Sequence, residues 1–360
     1  MSVPTTINAV LLKNAPTGEV QFDYSAKDAT FELSSKPFSE SDLKDGFVLV
    51  KNLYFSNDPA QRGWIAAGQD ASRGYADPVK EGDAIRSSGF GEIVASKSSK
   101  YSVGDKVLAL LTWSDYQPLH EAAVFQKVDE SEGVTAPVYL SALGYTAFTA
   151  YFGLKDILQL KEGQTIVVSA AAGATGSMVV QLAKHVFKAG KVIGLAGSDE
   201  KSRWIESLGA DVGINYNDAD YKEQLDKAIG PDCTDAYFDN VGGDMLSFLL
   251  TKVKKFGRVA ACGAIAGYND KSKLNVTTWT QIITNSLTVQ GFVIFNYVQR
   301  FPEAIEVILG GISKGTIKVE NTYHIEDLSK EEKPLAKVPE VWSLLFGSNK
   351  PNGKLITKIA

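Results

Sequence analysis

The sequence predicts an α/β protein in which a six-stranded, doubly wound parallel sheet is joined to a second domain rich in β-structure. Three observations carry that expectation. From about residue 138 onward, β-branched runs alternate with helical patterns, as βαβ units require. Before residue 130 the pattern is short β-type runs separated by turns. Between the first strand and first helix of the alternating half lies a turn of small residues, Ala170-Ala-Ala-Gly-Ala-Thr-Gly176. A chain of 360 residues, at roughly 150 per domain, makes two domains the working number. Their expected limits are 1–137 with 321–360 for the β-rich domain and 138–320 for the sheet domain.

In chain order, the first half offers Phe47-Val-Leu-Val50, Gly91-Glu-Ile-Val-Ala95, Val107-Leu-Ala-Leu-Leu111 and Ala123-Val-Phe125 as strands. The six parallel strands are expected at 165–169, 191–195, 212–215, 235–238, 258–261 and 287–290. Helices fit the intervals 174–186, 199–208, 221–229 and 245–253. Ser198 caps the second, with Asp199 and Glu200 favourable in its first turn. One more helix follows Phe301 and is expected to end at Gly310-Gly311. The last run, Lys354-Leu-Ile-Thr-Lys-Ile359, reads as a strand that rejoins the β-rich domain.

Composition excludes several classes of function. Hydrophobic residues at 44% and charged ones at 22% rule out a disordered scaffold. The net charge of −5, without any Lys/Arg stripe, argues against a nucleic-acid partner. The two cysteines, Cys233 and Cys262, build neither a disulfide framework nor a Cys-rich zinc site. Met1 to Asn8 lacks the basic and apolar regions of a secretory signal, so a cytoplasmic location is expected. Two uncharged windows, 133–154 and 163–183, have the length of a membrane span but are interrupted by proline, glycine and hydroxyl residues; no membrane partner is expected.

The small-residue turn carries the chemistry. Ala171, Gly173 and Gly176 occupy the three places of the G-x-G-x-x-G fingerprint, following a strand and opening a helix, which is the context a dinucleotide site requires. Gly173 admits the backbone to a pyrophosphate and Gly176 lets the helix close on the strand. At the end of the second strand, where a carboxylate would accept the ribose hydroxyl of NAD, the chain reads Leu195-Ala-Gly-Ser198, with Lys201 and Arg203 beyond. A cation there suits a ribose phosphate and favours NADP(H). His120 is the only histidine of the N-terminal half, too little for a Cys/His zinc site. His120, His185 and His324 read as surface or packing residues, and no metal is expected. Without one, a hydride acceptor must be activated by hydrogen-bond donors, which suits a conjugated carbonyl.

Several stretches resemble one family: Ala170 to Ser177, Gly197-Ser-Asp-Glu-Lys201, Tyr237-Phe-Asp-Asn-Val-Gly-Gly243, Cys262-Gly-Ala-Ile265 with Tyr268-Asn269, Thr149-Ala-Tyr-Phe-Gly-Leu154, and Gly353-Lys354. From about residue 47 onward the chain is similar to the prostaglandin reductase and NADP-dependent alkenal double-bond reductase family, zinc-independent members of the medium-chain dehydrogenase/reductase superfamily. The resemblance implies a Rossmann nucleotide domain and a GroES-like catalytic domain, with substrate between them. Carried over position by position, Gly173, Ala174, Thr175 and Gly176 would hold the pyrophosphate. Lys201 and Tyr216 would hold the adenosine ribose phosphate, and Asn240 the cofactor at the cleft. Cys262, Gly263, Ala264, Ile265 and Tyr268 would line the nicotinamide side, with Phe292, Val293 and Ile294 at its carboxamide.

Tyr268 is the implied catalytic hydrogen-bond donor, or else only positions the nicotinamide ribose. Asn349 and Asn352 both align with an Asn of the family near its terminal Gly-Lys pair, and Asn352 is the one expected to meet the cofactor. The implied activity is NADPH-dependent reduction of the carbon–carbon double bond of an α,β-unsaturated aldehyde or ketone by a homodimer. Quinone reduction on the same scaffold and a non-catalytic NADPH-binding module are the alternatives. The chain departs from the family at Asp58-Pro-Ala-Gln-Arg62, where Ala60 replaces an aromatic residue, at Tyr145-Thr-Ala147, which replaces Met-Pro-Gly, and at Phe295, which replaces a tyrosine. Cys262 reads as a small buried residue of the cofactor loop, not as a nucleophile.

Overall fold

The computed structural model of the protein describes residues 3–130, 134–348 and 350–360. The chain divides into two compact units. The first holds Met1–Leu140, His324–Pro351 and Leu355–Ala360; the second holds Ser141–Tyr323 together with Asn352–Lys354.

The first unit opens with an antiparallel pair, β1 (Thr6–Leu12) and β2 (Phe31–Pro37). Five strands follow: β3 (Phe47–Ser56), β4 (Arg86–Ser96), β5 (Lys106–Thr112), β6 (Tyr116–His120) and β7 (Val124–Val128). Alternation along β5 sends Val107, Ala109 and Leu111 inward, the period-two pattern of a sheet with one buried face. The core gathers around Trp342, which is fully buried against Phe22, Phe31, Trp113 and Phe346 and donates its indole N–H to the Asp58 carbonyl at 3.1 Å.

The second unit contains β8 (Thr165–Val168), β9 (Lys191–Ala196), β10 (Val212–Asn215), β11 (Thr234–Asp239), β12 (Val253–Ala261) and β13 (Thr288–Gly291). They form one sheet in the order β10-β9-β8-β11-β12-β13, with every neighbouring pair parallel. The chain starts at the centre, on β8, winds outward through β9 and β10, then returns to β11 and winds the other way. That is the doubly wound Rossmann order, and all six expected strands are in it. The run Ile166-Val-Val168 is wholly buried, as a central parallel strand covered on both faces must be.

Two later strands complete the first unit's sheet. β14 (Tyr323–Asp327) and β15 (Lys354–Lys358) extend it in the order β14-β15-β3-β4-β5-β7, with β6 also paired to β3. The expected terminal strand is therefore present, antiparallel to β3.

Two helix limits differ from expectation. The helix placed at 245–253 is Gly243–Leu250, because β12 begins at Val253, well before Arg258, and passes an irregularity where Phe256 takes a positive φ of 64°. The helix after Phe301 runs through both glycines to Ser313; Gly311 packs against Ile317, and Gly315, at φ 67°, supplies the left-handed terminator. Trp342→Ala should cost the first unit about 3–5 kcal/mol through the cavity it leaves. The check is the shift of the urea unfolding midpoint, and no shift would contradict this account of the core.

Candidate functional site

All six strands of the second unit point the same way, so the loops that follow them share one edge of the sheet. Taken across the sheet from β10 to β13, those loops carry Tyr216, then 197–201, then 173–176, then Asn240, then 262–268, then 292–294. At about 4.8 Å per strand the six positions span roughly 24 Å.

At the centre, the chain leaves β8 through Ala170, held at a positive φ of 47°, and the Ala171 amide donates to the Leu195 carbonyl at 2.9 Å. The turn closes with Gly173 N–H on the Ala170 carbonyl at 2.9 Å, and Gly173 becomes the N-cap of the helix Ala174–His185. The first amides of a helix have no intrahelical acceptor, and here no side chain caps them, so they form a seat for an anion. A Cβ on Gly176 would lie 2.2 Å from the Ala170 carbonyl oxygen, so only glycine permits this helix-to-strand approach. Asn352 is brought beside the same turn: Gly353 N–H donates to the Ala172 carbonyl at 2.8 Å, and Gly353 bridges Gly173. Asn349 lies outside the described residues. Lys354, next in the chain, is buried and lines a small cavity with the hydroxyl residues Ser141, Thr146, Ser177 and Thr322.

The β9 and β10 corner is held by Tyr216 N–H on the Ala196 carbonyl (2.9 Å) and Asn217 Nδ2 on the Gly197 carbonyl (2.8 Å). A Cβ at Gly197 would sit 2.9 Å from the Tyr216 hydroxyl, so the absence of a side chain there leaves room for the phenol. Ser198 caps Asp199–Leu208 as expected, accepting from the Lys201 amide at 3.2 Å. Burial lowers the Lys201 ammonium pKa and raises that of the Tyr216 phenol. The Asp199 carboxylate accepts from Asn215 Nδ2 at 2.9 Å. Arg203 is exposed.

On the other side of the centre, Asp239 at the end of β11 ties two loops together. Its carbonyl accepts from the amides of Cys262 (2.9 Å) and Gly263 (3.1 Å), and its buried carboxylate accepts from Val241 and Gly242. The Asn240 side chain donates to the Ser169 carbonyl at 2.7 Å. Burial, with a smaller contribution from Asp239, pushes the Cys262 thiol up to about 12, so it stays protonated. A tight turn, Ile265–Gly267, delivers Tyr268, whose amide meets the Ile265 carbonyl at 3.4 Å. Phe292 stands edge-on to Phe238 at 6.3 Å. Both rings press on Gly153, where a Cβ would lie 2.4 Å from Phe238 and 2.9 Å from Phe292. Tyr145 packs on Phe295 at 5.3 Å, and burial pushes its phenol up to about 12.

The three histidines are engaged locally: His120 accepts from the Ala122 amide, His185 meets the Leu208 carbonyl and His324 meets Glu326. Among the described residues, no three His, Cys, Asp or Glu side chains gather in a way that would hold a metal ion.

The chain is similar to known proteins over most of its length. A family profile described as N-terminal domain of oxidoreductase matches residues 9–128, and one described as zinc-binding dehydrogenase matches 174–310. Prostaglandin reductase 1 of Bos taurus is 38% identical over 320 residues, covering 88% of this chain and 90% of its own. The chain belongs to the prostaglandin reductase family.

As a prostaglandin reductase family member it is an oxidoreductase of the zinc-independent medium-chain type. A second relative, "Uncharacterized membrane protein YML131W" of Saccharomyces cerevisiae, is 37% identical over 361 residues, covering 97% of each chain. Among the described residues no helix is long and apolar enough to cross a membrane. The crystal structure of CurA in complex with NADPH from Vibrio vulnificus matches with a TM-score of 0.83 at 29% identity, covering 98% of this chain and 99% of that one.

Sequence reasoning passed over Ser169, Asp239 and Lys354 as site residues. Asp239 carried a signal, a carboxylate between an apolar strand and paired glycines. Lys354 was marked only as part of the Gly353-Lys354 pair that resembles the family, since its enclosure depends on contacts far apart in the chain. Gly176→Ala should lower stability by about 1–3 kcal/mol, through the overpacking its Cβ imposes on the turn, measured as a fall in melting temperature. With iodoacetamide at pH 8, Cys262 should be labelled more slowly than Cys233 in peptide mass spectra; equal rates would contradict the raised thiol pKa.

Proposed function

We propose that this member of the prostaglandin reductase family uses NADPH to reduce the carbon–carbon double bond of α,β-unsaturated aldehydes and ketones. The observation that carries the reading is the order of loops along the sheet edge. A phosphate-seeking pair, Lys201 and Tyr216, lies at one end, an uncapped helix N-terminus at the centre, and a phenol-bearing loop with aromatic residues at the other. An NADPH molecule laid along this line meets its ribose phosphate, pyrophosphate and nicotinamide in that sequence. Bound there, the cofactor supplies the hydride that the β-carbon of the substrate accepts.

The residues of the chain hold and polarise. Gly173, Ala174, Thr175 and Gly176 bind the pyrophosphate through backbone amides. Lys201 and Tyr216 bind the ribose phosphate, which restores to Lys201 the counter-charge that burial denies it. Asn240 and Asn352 orient the central part. Cys262, Gly263, Ala264 and Ile265 line the nicotinamide face, and Phe292, Val293 and Ile294 present backbone to its carboxamide. Tyr268 donates its hydroxyl to the carbonyl oxygen as enolate charge develops there, and a proton from solvent then completes the α-carbon. Tyr145 and Ala60 stand where the family has other residues, so substrate preference differs from its relatives at those positions. The protein works in the cytoplasm as a homodimer, pairing through β13: this edge strand is exposed at every residue, and Trp279 and Ile283 beside it are exposed as well.

Lys201→Ala should weaken NADPH binding about tenfold to a hundredfold, the worth of a charge-assisted hydrogen bond, with little effect on NADH; equal losses would contradict the phosphate role. Tyr268→Phe should lower kcat for an enone by about a hundredfold. Following NADPH absorbance with an enone, a quinone and an enone-free control decides the reaction. Faster turnover of the quinone would assign the scaffold to quinone reduction, and no turnover with intact NADPH binding would make it a binding module.

A further inference from the structure

Asp239 is not among the residues that would touch the cofactor, yet three of the loops that would hold it meet at this residue, two at its carboxylate and one at its main-chain carbonyl. Its Oδ1 accepts from the Tyr237 hydroxyl at 2.7 Å, the Val241 amide at 3.0 Å, the Gly242 amide at 3.0 Å and the Ser169 hydroxyl at 3.3 Å. The Ser169 Oγ accepts from the Asn240 amide at 2.9 Å, and the Ser169 carbonyl accepts from the Asn240 side chain at 2.7 Å. The Asp239 carbonyl receives the Cys262 and Gly263 amides, and the next two carbonyls, of Asn240 and Val241, receive Ile265 (3.4 Å) and Ala266 (3.2 Å).

Gly242 and Gly243 both take positive φ, 75° and 57°. Two left-handed residues in succession form a turn that needs fixed acceptors, and Oδ1 supplies one to the amides at its start. A Cβ on Gly263 would lie 2.9 Å from the Asn240 carbonyl oxygen, so the two loops are in direct backbone contact. Ser169 leads into the small-residue turn at 170–176. The Asp239 carboxylate oxygen is thus bonded to the start of one loop and to the residue preceding a second, and the main-chain carbonyl of the same residue is bonded to a third.

We infer that Asp239 is a positioning residue for the cofactor: it sets the Asn240 side chain and the 262–268 loop against the small-residue turn, and does so without touching the ligand. This rests on the cofactor site proposed above. Replacing a buried acceptor that serves four donors leaves those donors to reorganise, so the effect must appear in the groups they orient. Burial raises the Asp239 pKa despite the donors around it, a mark of how enclosed the hub is.

The test is NADPH titration, by quenching of intrinsic fluorescence, of wild type, Asp239→Asn, Asn240→Ala and the double variant, with thermal melting of each protein alone. Asp239→Asn keeps one oxygen acceptor and the side-chain volume; Tyr237→Phe, which removes one donor and leaves the loop amides intact, is the second variant should the first fold poorly. About tenfold weaker NADPH binding is expected for Asp239→Asn, against less than threefold when Asn240 is already Ala, since coupled neighbours are non-additive. Fully additive losses would overturn the inference. So would Asp239→Asn or Tyr237→Phe proteins that melt earlier but bind NADPH like wild type, because that is the result of a purely structural role. In that case wild-type enone turnover would still stand, whereas absence of NADPH binding by wild type would remove the proposed function itself.

Discussion

The parallel ladder of the second unit is the constraint on which the rest depends. β8 is bonded on one side to β9, from Thr165 to Val168, and on the other to β11, from Ile166 to Val168. Every right-handed crossover that begins there returns the chain to the same end of the sheet, so six loops drawn from more than a hundred residues of sequence open on one edge. Apolar burial fixes the ladder: Val167, Ile193, Leu195, Tyr237 and Val259 belong to one core. Chemistry is left to the loops, which hold the residues that a buried strand cannot accommodate.

Those loops are organised by polar groups that strand patterning does not report. Asp239 is placed where a hydrophobic strand ends, and burial raises its pKa. A buried carboxyl is costly unless donors surround it, and four do. The same loops show how close backbone approach selects glycine: at 176 for a helix against a strand, and at 153 for a helix end against two phenyl rings.

The sheet was legible because a central parallel strand is buried on both faces and so must be a continuous β-branched run, as Thr165 to Val168 is. The small-residue turn was legible because its spacing follows from a fixed geometry of turn and helix. Helix ends were less so: glycine at 310 and 311 resembles a terminator, but Gly311 is there for Ile317, a tertiary contact. The start of β12 was missed because the exposed Lys254, Lys255 and Phe256 break the apolar pattern that marks a strand. Of the site, the residues that would face the ligand could be read locally. How they are organised could not, for although Asp239 stands out as a carboxylate between an apolar strand and paired glycines, its bond to Ser169 crosses 70 positions of sequence.

One bond described above ties folding to the timetable of synthesis. The amide of Gly353 closes on the carbonyl of Ala172, beside the turn that opens the central helix. Nothing translated before residue 353 supplies that donor, so a nascent chain emerging from the ribosome carries an unfinished turn while its sheet is already assembling. The last piece of this unit arrives some 180 residues after the strand it completes, so the turn is finished by a contact that only a long stretch of later synthesis can supply.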